Sequence, residues 1–467
     1  MYARVTSSPG QDGSPAQDDD GSPGGPAAPG PAGLRRGAGL LRGMGQLRVT
    51  GLRGSGLAEV GDRVRAARTL FDRPLTSYYL IAGITALLLC LGLVMVLSTA
   101  SVADLQQGIS PYHDFEVQLA GIVVGVPVMW LAARSSPRLF RAAAYPLLMV
   151  SAIGLCLTLI PGVGTQHGTY TTRWIVVGPL NFQPSELAKL ALAVWGADLL
   201  ARKEKLGLLA DWRHALVPLL PGAAVLAMLV MAGDDLGTTF ILVMVLMALL
   251  WIIGVPGRVF GVLLILMGLV LALLVITKGY RAERMLAFLN SSDTNPVGTN
   301  QQLIQGKYAL GSGGIFGVGL GASRGKWGWV PESTSDMIFA IIGEELGLVG
   351  TLCVTALYGG LAYAGLRVAR RVPDTFSRLT AAAITTWIVI QAAVNIGGVI
   401  GVLPITGVPL PLVSKGLSSV LVTMVGLGML MSFARREPGA SQALAVRGHP
   451  PGGRVLSWLR RGARRRT

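Results

Sequence analysis

GSGGIFGVGLGAS (residues 311–323) continues, after Arg324 and Gly325, as KWGWVPESTSD (326–336) and then MIFAIIGEELGLVG (337–350). A glycine run, a polar stretch with two tryptophans and an apolar segment with two adjacent carboxylates follow one another without a break. The polar part reaches back to Tyr280, includes RAERMLAFLN (281–290), and carries one carboxylate, Asp293, between Glu283 and Glu332. Long apolar segments flank it on both sides. A solvated linker has no use for Ile, Phe, Val, Leu and Trp among its glycines. The stretch therefore reads as an ordered, functional loop set inside a membrane domain.

Composition agrees with that class. Of the 467 residues 51% are hydrophobic and only 14% charged, and several windows exceed the length a helix needs to cross a bilayer. The expected fold is all-α and polytopic; a barrel would show short strands of alternating polarity instead. Cys90, Cys156 and Cys353 lie in apolar segments and read as small core residues. His113, His167, His214 and His449 are scattered, so no zinc spacing is present.

Residues 1–75 begin rich in Pro, Gly, Ser and Asp, with little to bury, and read as a disordered tail. From Arg35 the tail turns basic, as does a C-terminal tail over 437–467; such segments can rest on anionic headgroups or be solvated ends. Between them, hydropathy predicts ten spans, near 78–98, 117–134, 142–160, 184–201, 215–232, 236–254, 258–277, 336–366, 379–402 and 417–434. Arginines and lysines collect at one set of connections, which include Arg138, Arg202, Arg258, Arg371 and Arg435. The opposite connections hold almost none, apart from Arg173 and Lys415. The positive-inside rule then makes both termini cytoplasmic and the loop over about 278–335 extracytoplasmic. That loop's own cations, Arg281, Arg284, Lys307, Arg324 and Lys326, break the bias and draw attention for that reason. The inverted repeats of many transporters are absent.

Ionisable residues within spans are functional candidates. Glu186 and Lys189 stand at i and i+3, on one helix face, and can act as a packing pair or as part of a site. Asp234 and Asp235 open the sixth span, and Asp235 before LGTT suits a helix cap. Asp336, Glu344 and Glu345 fall on the eighth span, Asn395 on the ninth, and Lys415 at the start of the tenth.

Four stretches resemble the SEDS family, whose members include FtsW, RodA and SpoVE. They are RWIVVGPLNFQPSELAKLALAVWGADLLARK (173–203), DDLGTTFILV (234–243), the glycine loop with VPESTSDMIFAIIGEELGLVG (330–350), and NIGGVIGVLPITGVPLPLVSKGLSS (395–419). The likeness covers about 76–436 in the family's order of spans. DRPLTSYYLIAG (72–83), WGADLLARK and KWGWVPE are most similar to the actinobacterial FtsW branch, with RodA the runner-up.

The resemblance implies a peptidoglycan glycosyltransferase of cell-wall synthesis and division, which polymerises lipid II at the outer face of the cytoplasmic membrane by inversion and releases undecaprenyl pyrophosphate. It also implies a class B penicillin-binding protein as transpeptidase partner, alongside other division proteins. Asp293 is then the candidate base or ligand of a divalent cation such as magnesium or manganese. Arg281, Arg284, Lys307, Arg324 and Lys326 become candidate pyrophosphate contacts. Glu186, Lys189, Glu344 and Glu345 match polar positions of the family's central cavity.

The chain departs from the family pattern at three places. Asp234 stands where the family usually has proline. Asn295 precedes Pro296, with Asp293 two residues earlier. SKGLSS (414–419) has Lys415 for an aromatic, where it can meet a lipid phosphate, and Leu417 for a glycine. They mark a divergent member. Two other readings stay open: a noncatalytic scaffold of the division machinery, which would tolerate loss of Asp293, and a lipid II flippase, which would need a polar path across the membrane. Nucleic-acid binding is a poor explanation of the net charge of +16, because the charge is spread over loops and tails.

Overall fold

The computed structural model describes residues 75–160, 164–166, 172–177, 180–276 and 301–440. Residues 1–74 and 441–467, and Asp293, Arg281 and Arg284, lie outside the described residues. All described residues belong to one compact unit.

Ten helical regions fall on the ten expected spans. In chain order the helices are α1 (Thr76–Gln106), α2 (His113–Arg134), α3 (Pro137–Thr158), α4 (Pro184–Lys205), a short α5 (Trp212–Leu216), α6 (Leu219–Ala232), α7 (Leu236–Ile252), α8 (Gly257–Ile276), α9 (Gln301–Ser312), α10 (Ile338–Arg371), α11 (Thr375–Ile400) and α12 (Leu417–Ala434). Among the described residues, seven segments are long and apolar enough to cross a membrane: α1, α2, α3, α5 with α6, α10, α11 and α12. α7 and the Gly257–Val270 part of α8 are further apolar helical segments. α4 carries charges that the bundle buries.

Local chemistry sets the helix ends. Asp374 caps α11 by accepting from Ser377 N at 3.1 Å, and Gly401 ends that helix at φ 79°. Asp235 caps α7 by accepting from Thr238 N at 3.1 Å, as its sequence context suggests. The residue before it, Asp234, sits at φ 62°, which proline cannot reach. The departure from the family's usual proline therefore fits this turn, because aspartate tolerates the left-handed region.

The core of the bundle is made by α4, α7, α10, α11 and α12. α2 lies against α12 through small residues: Gly125 meets Met424 and Leu421, and Gly428 meets the backbone of Met129. Large apolar side chains on α2, α3, α6 and α8 point outward, among them Val123, Met149, Met228 and Ile265, as lipid contact requires.

The structure bears out the all-α polytopic fold and adds detail to it. A small antiparallel meander, β1 (Gly164–Gln166), β2 (Thr172–Val177) and β3 (Leu180–Phe182), precedes α4. The expected loop before residue 336 contains α9, which buries Leu303, Gly306 and Ala309 at every third position. Cys90, Cys156 and Cys353 are exposed free thiols, because each occupies an outward helix face.

Candidate functional site

Two polar assemblies occupy the bundle, and one irregular segment joins them. The first starts on α4. Proline at the first turn sets the helix direction, and Glu186 and Lys189 then share its inward face. Their side chains are 1% and 0% exposed, with Lys189 Nζ 2.7 Å from Glu186 Oε1. The same ammonium donates to Gln391 Oε1 on α11 at 2.7 Å and lies 5.4 Å from the Trp387 ring centroid. Trp387 Nε1 also donates to Gln391 Oε1, at 2.8 Å. Glu186 Oε2 is buried without a hydrogen-bond partner among the described residues. A charge this deep is tolerated only when paired.

Near the start of α4, Asp235 gathers Gln183 Nε2 at 3.3 Å, Ser185 Oγ at 3.4 Å and Arg173 Nη1 at 3.7 Å. Arg173, on β2, also donates to the Asp234 carbonyl at 2.7 Å. The meander thus places a cation over the α7 cap.

The extended segment between α11 and α12 links this assembly to the loop before α10. Gln391 Nε2 donates to Pro409 O at 2.9 Å, and Asn395 Nδ2 donates to Val408 O at 2.9 Å and Asp336 O at 2.7 Å. Ser414 Oγ donates to Ser335 O at 2.5 Å, and Lys415 N donates to Thr334 O at 3.0 Å. Backbone that is neither helix nor strand survives at such depth only when protein groups satisfy it.

Asp336 itself lies in the polar loop ahead of α10. Gln302 Nε2 donates to it at 3.3 Å, and Ser335 Oγ approaches at 3.3 Å. Burial pushes its carboxyl up to about 6 from 3.8, and neighbouring Glu332 adds to the rise.

The second assembly anchors the glycine loop. Glu344 Oε2 accepts from Ser323 Oγ at 2.5 Å and Gly325 N at 3.2 Å, and its Oε1 accepts from Arg324 N at 2.9 Å. Glu345 Oε1 accepts from Ser98 Oγ at 2.6 Å and Lys326 Nζ at 3.3 Å. The backbone of Val318 and Gly319 donates to the carbonyls of Glu344 and Glu345 at 2.9 and 3.1 Å. Those carbonyls are free because α10 kinks at Gly347 (φ 68°, ψ −164°).

The sequence candidates therefore sort by position. Lys326, Glu344 and Glu345 meet in one buried cluster, and Glu186 meets Lys189 in another. Arg324 and Lys307 have exposed side chains, with Lys307 lying against Gly401. Lys415 pairs with Asp114 at the α2 N-terminus, and the neighbouring Leu417 packs on Gly121. Both changes in SKGLSS thus have local partners. Sequence reasoning missed Gln391, Trp387 and Ser98. Trp387 and Gln391 stand four apart on one helix face, which is a readable signal; Ser98 gives none. Among the described residues, no group of three or more His, Cys, Asp or Glu could hold a metal ion. The expected cation ligand, Asp293, lies outside the described residues.

The sequence profile of the family described as cell cycle protein, FtsW/RodA/SpoVE, matches residues 78–438. The chain belongs to this family. Among its relatives, the probable peptidoglycan glycosyltransferase FtsW of Mycobacterium tuberculosis is 42% identical over 374 residues, covering 80% of this chain and 70% of that one. Stage V sporulation protein E of Bacillus subtilis is 35% identical over 359 residues, covering 76% and 96%. The crystal structure of Thermus thermophilus rod shape determining protein RodA superposes with a TM-score of 0.56 at 28% identity, covering 78% of this chain and 98% of that one. A chain from a structure of a peptidoglycan synthase complex, described as coordinating polymerization and crosslinking, gives a TM-score of 0.60 at 27% identity with the same coverage. The SEDS resemblance, actinobacterial relatives included, is therefore shown, and this is a multi-pass membrane protein of that family.

Proposed function

We propose that this chain is a peptidoglycan glycosyltransferase that polymerises lipid II at the outer face of the cytoplasmic membrane of a bacterium. The observation that carries the reading is 42% identity over 374 residues to a relative named for that activity. The anchored glycine loop supports it as well, since a rigid loop can hold a charged, lipid-linked substrate in place.

The reaction joins the 4-hydroxyl of one GlcNAc to the anomeric carbon of a lipid-linked MurNAc. The C–O bond to undecaprenyl pyrophosphate breaks as the new glycosidic bond forms, with inversion. Asp293 is the proposed base that takes the hydroxyl proton. Arg281, Arg284, Lys307 and Arg324 are the proposed neutralisers of the leaving pyrophosphate. Lys326, Glu344 and Glu345 act indirectly by fixing the loop. The divalent cation, magnesium or manganese, remains a proposal attached to Asp293, and the steps above are carried by protein groups.

Orientation and partnership belong to the same proposal. The arginine-rich end of the bundle faces the cytoplasm, as do both termini. A class B penicillin-binding protein supplies crosslinking, in line with the synthase complex in which the similar chain was solved. The test is lipid II polymerisation by the purified chain, with and without that partner, beside Asp293→Ala and with moenomycin present to silence unrelated polymerases.

A further inference from the structure

At the arginine-rich end, the start of α3, the α10–α11 connection and the end of α12 enclose a cleft of about 560 Å³. Three guanidinium groups line it, from Arg138, Arg141 and Arg436, with Ser136, Ser377 and Asp374 beside them. Arg141 is held ready. Its guanidinium lies 4.8 Å from the Phe376 ring centroid, its Nη2 is 3.2 Å from Asp374 Oδ1, and its Nε is 3.9 Å from Asp198 Oδ1.

The carboxylates at the cleft are already engaged. Asp374 caps α11 through Ser377 N and Oγ, at 3.1 and 2.8 Å, and pairs with Arg141. Asp198 pairs with Arg202 at 2.7 Å. Arg138 and Arg436 have no carboxylate partner among the described residues. Two uncompensated cations and one preorganised cation thus surround a space bordered by the first turns of two helices, whose dipoles add positive potential. Arginines placed this way suit a phosphate, which accepts paired N–H donors.

We infer that this cleft binds a phosphate-bearing anion, and that in a bilayer the occupant is the headgroup of an anionic phospholipid. Leu139 follows Arg138 and is 57% exposed, so an acyl chain can lie beside the headgroup on the outer face of α3. A plain orientation bias explains exposed arginines at this end, but it does not call for three of them around one cavity. The inference is independent of the glycosyltransferase reading, because its readout is lipid retention and not activity.

The test is native mass spectrometry of the full-length protein released from bilayer nanodiscs of equal phosphatidylglycerol and phosphatidylcholine. Wild type retains phosphatidylglycerol preferentially. The double variant Arg138→Gln/Arg436→Gln loses that retention by about ten-fold or more. Arg258→Gln, a single charge loss at the start of α8 that matches either half of the double variant, keeps it, and Arg138→Lys/Arg436→Lys keeps most of it. Arg436→Glu alone must also lose it, which guards against misfolding of the double variant. Adding millimolar inorganic phosphate separates the two sources. Displacement of the lipid shows a site that takes phosphate from either source, and persistence shows a headgroup site. Equal retention by wild type and the double variant, or equal loss in Arg258→Gln, overturns the inference.

Discussion

Lys326 and Glu345 form an ion pair at 3.3 Å with side chains only 5% and 0% exposed. Ser98 of α1 completes the triangle, 3.0 Å from the ammonium and 2.6 Å from the carboxylate. Three parts of the chain, α1, the glycine loop and α10, therefore converge on one buried contact. Lys326→Met leaves Glu345 buried and unpaired, and the expected cost is about 3–5 kcal/mol. Thermal unfolding in detergent should show that loss, with partial recovery in Lys326→Met/Glu345→Leu. Unchanged unfolding with lost polymerisation would instead make Lys326 a substrate contact.

The pair inside α4 invites the same comparison. Glu186→Ala strands Lys189, which has no exposure and keeps only Gln391 as a hydrogen-bond partner. The expected destabilisation is about 3–5 kcal/mol, and Glu186→Gln/Lys189→Met should lose less than either single change. A double-mutant cycle on unfolding midpoints measures the coupling. Additive single effects would show that the two side chains do not depend on each other.

Gly347 tests the backbone of the anchor. Its φ of 68° and ψ of −164° are reserved for glycine, and an added Cβ meets the backbone of Ile315 and Gly317. Gly347→Ala should cost at least about 1–3 kcal/mol and open the glycine loop to protease. Mapping cleavage sites within residues 311–323 checks it; a loop as resistant as wild type would contradict the anchor.

Asp336 gives a pH signature. Its carboxyl is raised to about 6 from 3.8, mainly by burial and then by Glu332. The fold therefore favours the neutral form. Its contribution to stability is complete below about pH 4 and is lost as pH rises through about 6. Asp336→Asn should flatten the fall in unfolding midpoint between about pH 4 and 6. An unchanged slope would place the titration elsewhere.

Much of this was legible in the chain. Ten apolar stretches gave ten helical regions because hydropathy records burial directly, and the i, i+3 spacing of Glu186 and Lys189 put them on one face. What stayed hidden depends on distant neighbours. Lys326 reads as an outward cation, yet it is buried because Ser98 and Glu345 meet it from α1 and α10. Gln391 lies 202 positions from Lys189, beyond any local pattern. The kink at Gly347 looks in sequence like one more glycine. The meander was passed over because its strands are three to six residues long, too short for a periodicity signal. The proposed roles of Asp293, Arg281 and Arg284 rest on sequence position and family membership.

The most direct measurement is glycan-strand formation from lipid II by the purified chain with its class B partner, comparing wild type with Asp293→Ala in the presence of moenomycin. The account predicts strands from wild type and none from the variant. Equal strands from both would remove Asp293 as the base, and no strands from wild type under any partner condition would contradict the glycosyltransferase reading.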